Sequence, residues 1–184
     1  MTTKDIIESV FSLWEARGQD DYIGEPVSQL AHACQAAALA EAAGHDHEVI
    51  LAAFFHDFGH LCQPDAASMD GYGTVDHEKI GADHLRSLGF PDRMCRLIES
   101  HVQAKRYLTF KHPVYLRQLS EASRRTLEFQ GGPMTPEEAG AFEDDELFAL
   151  FLQMRAWDEQ AKEERLPLPD LDRYRILARR LLES

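Results

Sequence analysis

Apolar residues recur at spacings of three and four along nearly the whole chain, and alternating polar and apolar runs are scarce. That period belongs to helices that bury one face, so the sequence predicts an all-α fold. Helices are expected at about residues 4–17, 26–43, 46–58, 77–88, 91–105, 112–129, 136–140, 143–163 and 170–182. The breaks coincide with helix-stopping residues. Gly18 and Gly44 close the first two helices, QPDAASMDGYGT (63–74) is a polar loop, GFP (89–91) a tight joint and GGPMTP (131–136) a turn. LPLPD (166–170) reads as an extended link before the last helix. No shift of composition marks a boundary, so the 184 residues read as one helical bundle domain. A chain of that length can bury roughly two thirds of its unfolded surface.

On such amphipathic helices, polar residues that fall on the apolar face demand an explanation. In DDELFALFLQMRAWDEQAK, from Asp144, the residues Leu147, Phe151 and Met154 share a face, and the next position on it is Asp158. Met94, Leu97 and His101 do the same, with Lys105 one turn further on. His32 shares its face with Ala36, Leu39 and Ala43, and His77 opens a helix anchored by Ile80, Ala82 and Leu85. In AAFFHDFGHLC (52–62), an apolar helix runs straight into His56 and Asp57. Taken singly, each has an ordinary reading: a hydrogen-bonded core histidine, or an aspartate in a helix-end ion pair. Four histidines and two aspartates at inward positions are far harder to bury without a cation.

Imidazole and carboxylate are ligands for iron, manganese or zinc. His32, His56 and Asp158 could complete one ion, and His77 and His101 another. Asp57, with two oxygens, could bridge them if the helix turns after His56, and Gly59 would permit that turn. His45, His47 and His112 lie in polar or helix-start contexts and read as surface residues, and His84, on the face of His77, reads as core or as a support behind the metal ligands. Spacing leaves His60 undecided.

Charge and composition narrow the partners. With 32 acidic against 19 basic residues, a formal net charge of −13, the chain disfavours a nucleic-acid duplex and an anionic membrane surface. It can still bind a small anion where a few positive groups converge. Three cysteines without CxxC spacing read as reduced thiols of a cytoplasmic protein. The N-terminal MTTKDIIESVFSLWEARG has acids among its apolar residues, unlike a signal peptide, and no run approaches the roughly 18–20 apolar residues of a membrane span.

The order His32, His56-Asp57, Asp158 resembles the H…HD…D signature of the HD-domain superfamily, all-helical metalloproteins of which most are phosphohydrolases. The similarity covers about residues 26–160, and the additional His77 and His101 resemble its dinuclear members. Many of the phosphohydrolases carry a lysine after HDxG, where this chain has His60. A second stretch, DDYIGEPVSQLAH (20–32), is similar to the segment before the first metal histidine in the mixed-valent di-iron oxygenases that cleave organophosphonates.

That resemblance implies a set of roles. His32, His56, Asp57 and Asp158 would hold one iron, and Asp57, His77 and His101 the second. Tyr22 would fill the second iron's open position until substrate arrives, and Glu25 would then face the substrate's amine or ammonium end. His60, Lys105, Ser123 and Arg155 would contact the phosphonate oxygens. The implied activity is O2-dependent cleavage of the C–P bond. The substrate would be 1-hydroxy-2-(trimethylammonio)ethylphosphonate or 1-hydroxy-2-aminoethylphosphonate, giving phosphate with glycine betaine or glycine. Lys105 and Arg155 suit a dianionic phosphonate on chemical grounds alone. Tyr22, Tyr72, Trp157 and Glu25 are candidates to surround a quaternary ammonium. The same metal ligands could instead serve an HD-type phosphohydrolase acting on a nucleotide or phosphate ester, or a nucleotide-binding regulatory module without turnover.

Overall fold

A computed structural model describes residues 1–22, 24–63, 67–164 and 170–184. The described residues form eleven helices and no β-strand, as the apolar period requires. They are α1 (Thr3–Arg17), α2 (Gln29–Ala42), α3 (His47–Phe55), α4 (Gly59–Cys62), α5 (His77–Ser87) and α6 (Asp92–Lys111), followed by α7 (Pro113–Gln118), α8 (Glu121–Phe129), α9 (Pro136–Glu143), α10 (Phe148–Gln160) and α11 (Leu171–Leu182). Apart from Asp170, the link expected at 166–170 lies outside the described residues. None of the described helices is long and apolar enough to cross a membrane.

The centre of the bundle is α3. Its run from Val49 to Phe55 is buried on every side, with Leu51 to Phe55 fully inaccessible, as befits a helix that is apolar all round. Helices α2, α6, α10 and α11 pack against it, and α1 lies outside α11 and α4. Phe54 is stacked on Tyr174 of α11 and lies against Trp14 of α1, while Phe55 meets Phe11, Phe58 and Phe90 edge-on. Burying each such ring contributes roughly 1.5–3 kcal/mol. The ends of α3 are therefore fixed by its packing, and its C-terminus delivers His56 and Asp57 into the interior.

Several boundaries depart from the apolar pattern because polar caps decide them. Helix α2 starts at Gln29, three residues later than expected, since Ser28 is extended and its side chain accepts the Ala31 N–H. The single helix expected over 112–129 is two helices. Leu119 is extended, and Ser120 caps α8 by accepting the Ser123 N–H at 3.2 Å. Helix α6 runs on to Lys111, and Pro113 then supplies the first turn of α7.

Gly59 has a different task from the one its sequence position suggested. His56 and Phe58, on either side of Asp57, keep ordinary right-handed helical dihedrals, so the turn needs no glycine. Helices α4 and α5 instead touch through Gly59 and Gly81. A Cβ on Gly59 would lie 1.9 Å from the His77 carbonyl oxygen and 2.9 Å from the Gly81 nitrogen. Gly59→Ala must push the start of α5 away, at a cost of about 1–3 kcal/mol for overpacking. We expect a lower thermal midpoint. An unchanged midpoint would contradict the close approach.

Candidate metal centre

The six inward polar residues of the sequence meet in one place. His32 comes from α2, His56 and Asp57 from the turn after α3, His77 from the first residue of α5, His101 from α6 and Asp158 from α10. Each is at most 4% exposed.

Their atoms fall into two groups that share Asp57. His32 Nε2 and His56 Nε2 are 3.0 Å apart, and Asp57 Oδ2 lies 3.5 Å and 3.3 Å from them. Asp158 Oδ1 faces the same pair at 3.4 Å and 3.9 Å. On the other side, His77 Nε2 and His101 Nε2 are 3.1 Å apart, and Asp57 Oδ1 lies 3.1 Å and 3.3 Å from them. Two ligands bound about 2.1 Å from one first-row ion and at right angles to each other would be about 3 Å apart. The observed spacings are of that size.

The hydrogen bonds on the far side of each ring identify the tautomer. Nδ1 of His32, His56 and His101 lies 2.8 Å from the carbonyl oxygens of Ala161, Ala53 and Ile98 respectively, and His77 Nδ1 lies 3.3 Å from that of Thr74. A carbonyl accepts only, so each Nδ1 carries a proton, and a ring that has given up its second proton turns an Nε2 lone pair inward. This is the arrangement of metal-binding histidines. Four lone pairs converging on carboxylate oxygens repel unless a cation or a proton lies between them. Asp57 Oδ2, buried and without a hydrogen-bond partner among the described residues, makes the same point. The donor set therefore fits two first-row ions.

His60 is near enough to Asp57 and His77 to count as a further ligand by distance, and its ring stacks on His77 with centroids 4.0 Å apart. Its tautomer argues otherwise. The Thr74 backbone N–H donates to His60 Nδ1 at 3.0 Å, so the proton of the neutral ring sits on Nε2. Burial, with the charge of His77, holds the ring well below the usual imidazole range and keeps it neutral. His60 thus offers an N–H where the other four offer a lone pair.

Tyr22, Glu25, His60, Lys105, Ser123 and Arg155 all line one small cavity beside the six. His32 and His56 lie behind it. Lys105 spends two of its three protons on Thr126 Oγ1 at 2.9 Å and the Ser123 carbonyl at 3.2 Å, leaving one free. Burial, aided by Arg155, pushes its ammonium down to about 7. Arg155 is more engaged than a solvated cation. It donates to Asp158 Oδ2 and to Tyr115 Oη at 2.8 Å and forms an ion pair with Glu159 at 3.0 Å, with Ser123 Oγ 3.5 Å away. It therefore orients Asp158 so that Oδ1 is left for the His32 and His56 side.

The segment carrying Tyr22 and Glu25 is a pinned loop. Tyr22 N–H donates to the Val27 carbonyl and Glu25 N–H to the Tyr22 carbonyl, both at 2.9 Å, around Gly24 at φ +80. Only glycine takes that conformation without strain, and a Cβ there would also lie 2.9 Å from Ala122 Cβ. The Tyr22 ring stacks on His32, centroids 4.1 Å apart, and burial with the Asp57 and Asp158 charges pushes its phenol well up. Glu25 Oε1 accepts from Lys162 Nζ at 2.6 Å, a partner that sequence spacing did not reveal. Tyr72 lines the cavity, whereas Trp157 packs on His45 and the core. Sequence reasoning also passed over Thr126, Tyr115 and Glu78, which support Lys105, Arg155 and His77.

Residues 30–147 match the HD domain family model, and the chain belongs to that family. Two of the relatives it resembles along nearly its whole length are named as dioxygenases. It is 35% identical over 181 residues to the [1-hydroxy-2-(trimethylamino)ethyl]phosphonate dioxygenase (glycine-betaine-forming) of Leisingera caerulea, spanning 98% of this chain and 92% of that one. It is 37% identical over 184 residues to the hydroxymethylphosphonate dioxygenase of Gimesia maris, spanning 99% and 90%. An uncharacterised protein of Acanthamoeba polyphaga mimivirus is 43% identical over 173 residues, spanning 93% and 79%.

Two outcomes test the centre. Burial disfavours a charged His32, but Asp158 and Asp57 outweigh it and push the imidazolium up to about 9. Below that pH an entering ion must displace the proton. Metal affinity in a calorimetric titration should therefore rise with pH up to about 9, with protons released on binding; an affinity independent of pH from 6 to 9 would contradict this. Asp57→Ala should remove the shared ligand and most of the metal. Two ions per chain retained in that variant would mean that Asp57 bridges nothing.

Proposed function

We propose that this protein is an O2-dependent di-iron oxygenase that cleaves the C–P bond of a 1-hydroxyphosphonate. The observation that carries the reading is the juxtaposition of two ligand groups sharing Asp57 with a wall of spare hydrogen-bond donors. His60 Nε2–H, one Lys105 proton, the Ser123 hydroxyl and an Arg155 N–H are available to a tetrahedral oxyanion. The reaction R–CH(OH)–PO3H⁻ + O2 → R–COOH + H2PO4⁻ balances without any other reductant or oxidant. Bound iron would supply the capacity to reduce O2 and to remove electrons from the carbinol carbon.

The chain's own part is to position and exclude. His32, His56, Asp57 and Asp158 would hold one ion, and Asp57, His77 and His101 the other. His60, Lys105, Ser123 and Arg155 grip the phosphonate, so that its 1-hydroxyl is presented to the ions. A dianion next to Lys105 favours the charged ammonium, so binding would draw a proton onto it. Tyr22, already against His32, caps the metal side of the cavity until substrate displaces it. Both substrates expected from the sequence share this head group. So does the hydroxymethylphosphonate named for the Gimesia relative.

The rival reading, hydrolysis of a phosphate ester at the same ions, needs no O2. With iron-loaded protein and a 1-hydroxyphosphonate, phosphate release should stop under argon and resume in air; release that continues unchanged without O2 would overturn the proposal. Lys105→Ala should raise KM about tenfold to a hundredfold with metal content unchanged, as expected for a charge-assisted contact worth about 1.5–3 kcal/mol. Loss of iron with KM intact would instead make Lys105 a support of the centre. Tyr22→Phe should keep its metal yet oxidise faster in air without substrate, read by stopped-flow absorbance, and equal rates would remove the cap.

A further inference from the structure

Among the described residues, four carboxylates stand in or beside the cavity and the vestibule that continues it, and each already has a positive partner or a place at the metal centre. Asp57 faces the two imidazole pairs. Asp158 lies between them and Arg155. Glu159 forms an ion pair with Arg155 at 3.0 Å. Glu25 accepts from Lys162 at 2.6 Å. The Glu25 and Lys162 side chains are only 10% and 20% exposed, so water screens their attraction weakly. Lys162 also lines the vestibule, about 330 Å³, that shares Glu25, Ser123 and Arg155 with the cavity. A cationic group arriving on a substrate would find no unpaired negative charge there among the described residues. It would have to displace Lys162 from Glu25 and leave a second ammonium unpaired nearby.

Space directs a substrate's far end toward that pair. The inner cavity is about 60 Å³. At roughly 10–15 Å³ for each water on the same measure, that is room for about four to six waters. A phosphonate head group occupies such a volume, and whatever follows its carbinol carbon extends into the vestibule, where Lys162 stands on Glu25.

We propose that Lys162 is a specificity-determining residue. Held on Glu25, it is the site's resident cation and selects a 1-hydroxyphosphonate without a positively charged end, such as hydroxymethylphosphonate. This rests on the phosphonate reading given above and names the substrate class within it. Specificity here is a difference of affinities, produced by an ammonium that repels the wrong substrate as much as by contacts to the right one.

The test compares binding and turnover separately. Iron-loaded wild type, Lys162→Met and the double variant Glu25→Gln/Lys162→Met are titrated by anaerobic calorimetry. The probes are hydroxymethylphosphonate, 1-hydroxy-2-aminoethylphosphonate and its trimethylammonio relative. Phosphate release from each is then measured in air. Wild type should bind hydroxymethylphosphonate at least tenfold more tightly than either cationic compound. Lys162→Met, which frees Glu25, should gain at least tenfold for the cationic compounds and change no more than threefold for hydroxymethylphosphonate. The double variant should lose that gain. A wild type that prefers a cationic compound, a Lys162→Met variant whose preference is unaltered, or a failure of all three to bind would overturn the proposal. The expected binding order without phosphate release in air would uphold the role of Lys162 and overturn the oxygenase reading instead.

Discussion

One carboxylate organises the interior. Asp57 turns Oδ2 toward His32 and His56 and Oδ1 toward His77 and His101. Helices α2, α5 and α6 and the turn after α3 must therefore end or cross within reach of a single side chain. The burial of α3 makes this possible, because a helix locked by Phe54 and Phe55 cannot rotate His56 or Asp57 out toward water. The hydrogen bonds from each Nδ1 to a backbone carbonyl extend that order outward, tying ring orientation to helix position. Displacing α5 by the width of a methyl group, as a side chain at Gly59 would, moves His77 with it.

The buried charges are arranged in an outward sequence. Buried carboxylates are costly unless paired. Asp57 and Asp158 are nonetheless held well below the usual carboxylate range: burial opposes this, and the imidazoles and Arg155 outweigh it. Arg155 passes the compensation on to Glu159 and Tyr115, and Lys162 performs the same service for Glu25. The positive groups that face the cavity keep only one or two donors each. The site thus fits a compact oxyanion, and the four hydrogen-bond donors on its wall are what separate it from a bare metal pocket.

Much of this was legible in the sequence, and the failures have physical causes. His101 and Asp158 announced themselves by standing on faces otherwise made of Met, Leu and Phe. The His56-Asp57 pair stood out because an apolar helix ran into it. The chemistry of His60 was not legible, since a backbone N–H of Thr74 in a separate loop decides its tautomer. Nor was Lys162, which follows Asp158 by four residues but lies past the end of α10 and meets a partner 137 residues earlier. The break at Leu119 and Ser120 was hidden because Leu119 and Ala122 continue the apolar period, and a serine hydroxyl in competition with the helix backbone decides the boundary.

The shared carboxylate is tested most directly by electron paramagnetic resonance of the iron-loaded protein after one-electron oxidation, with the iron counted in the same sample. The account predicts two irons per chain and a half-integer-spin signal from an antiferromagnetically coupled Fe(II)/Fe(III) pair, because one carboxylate joins the two ions. One iron per chain, or two that give only the signals of isolated ions, would contradict it.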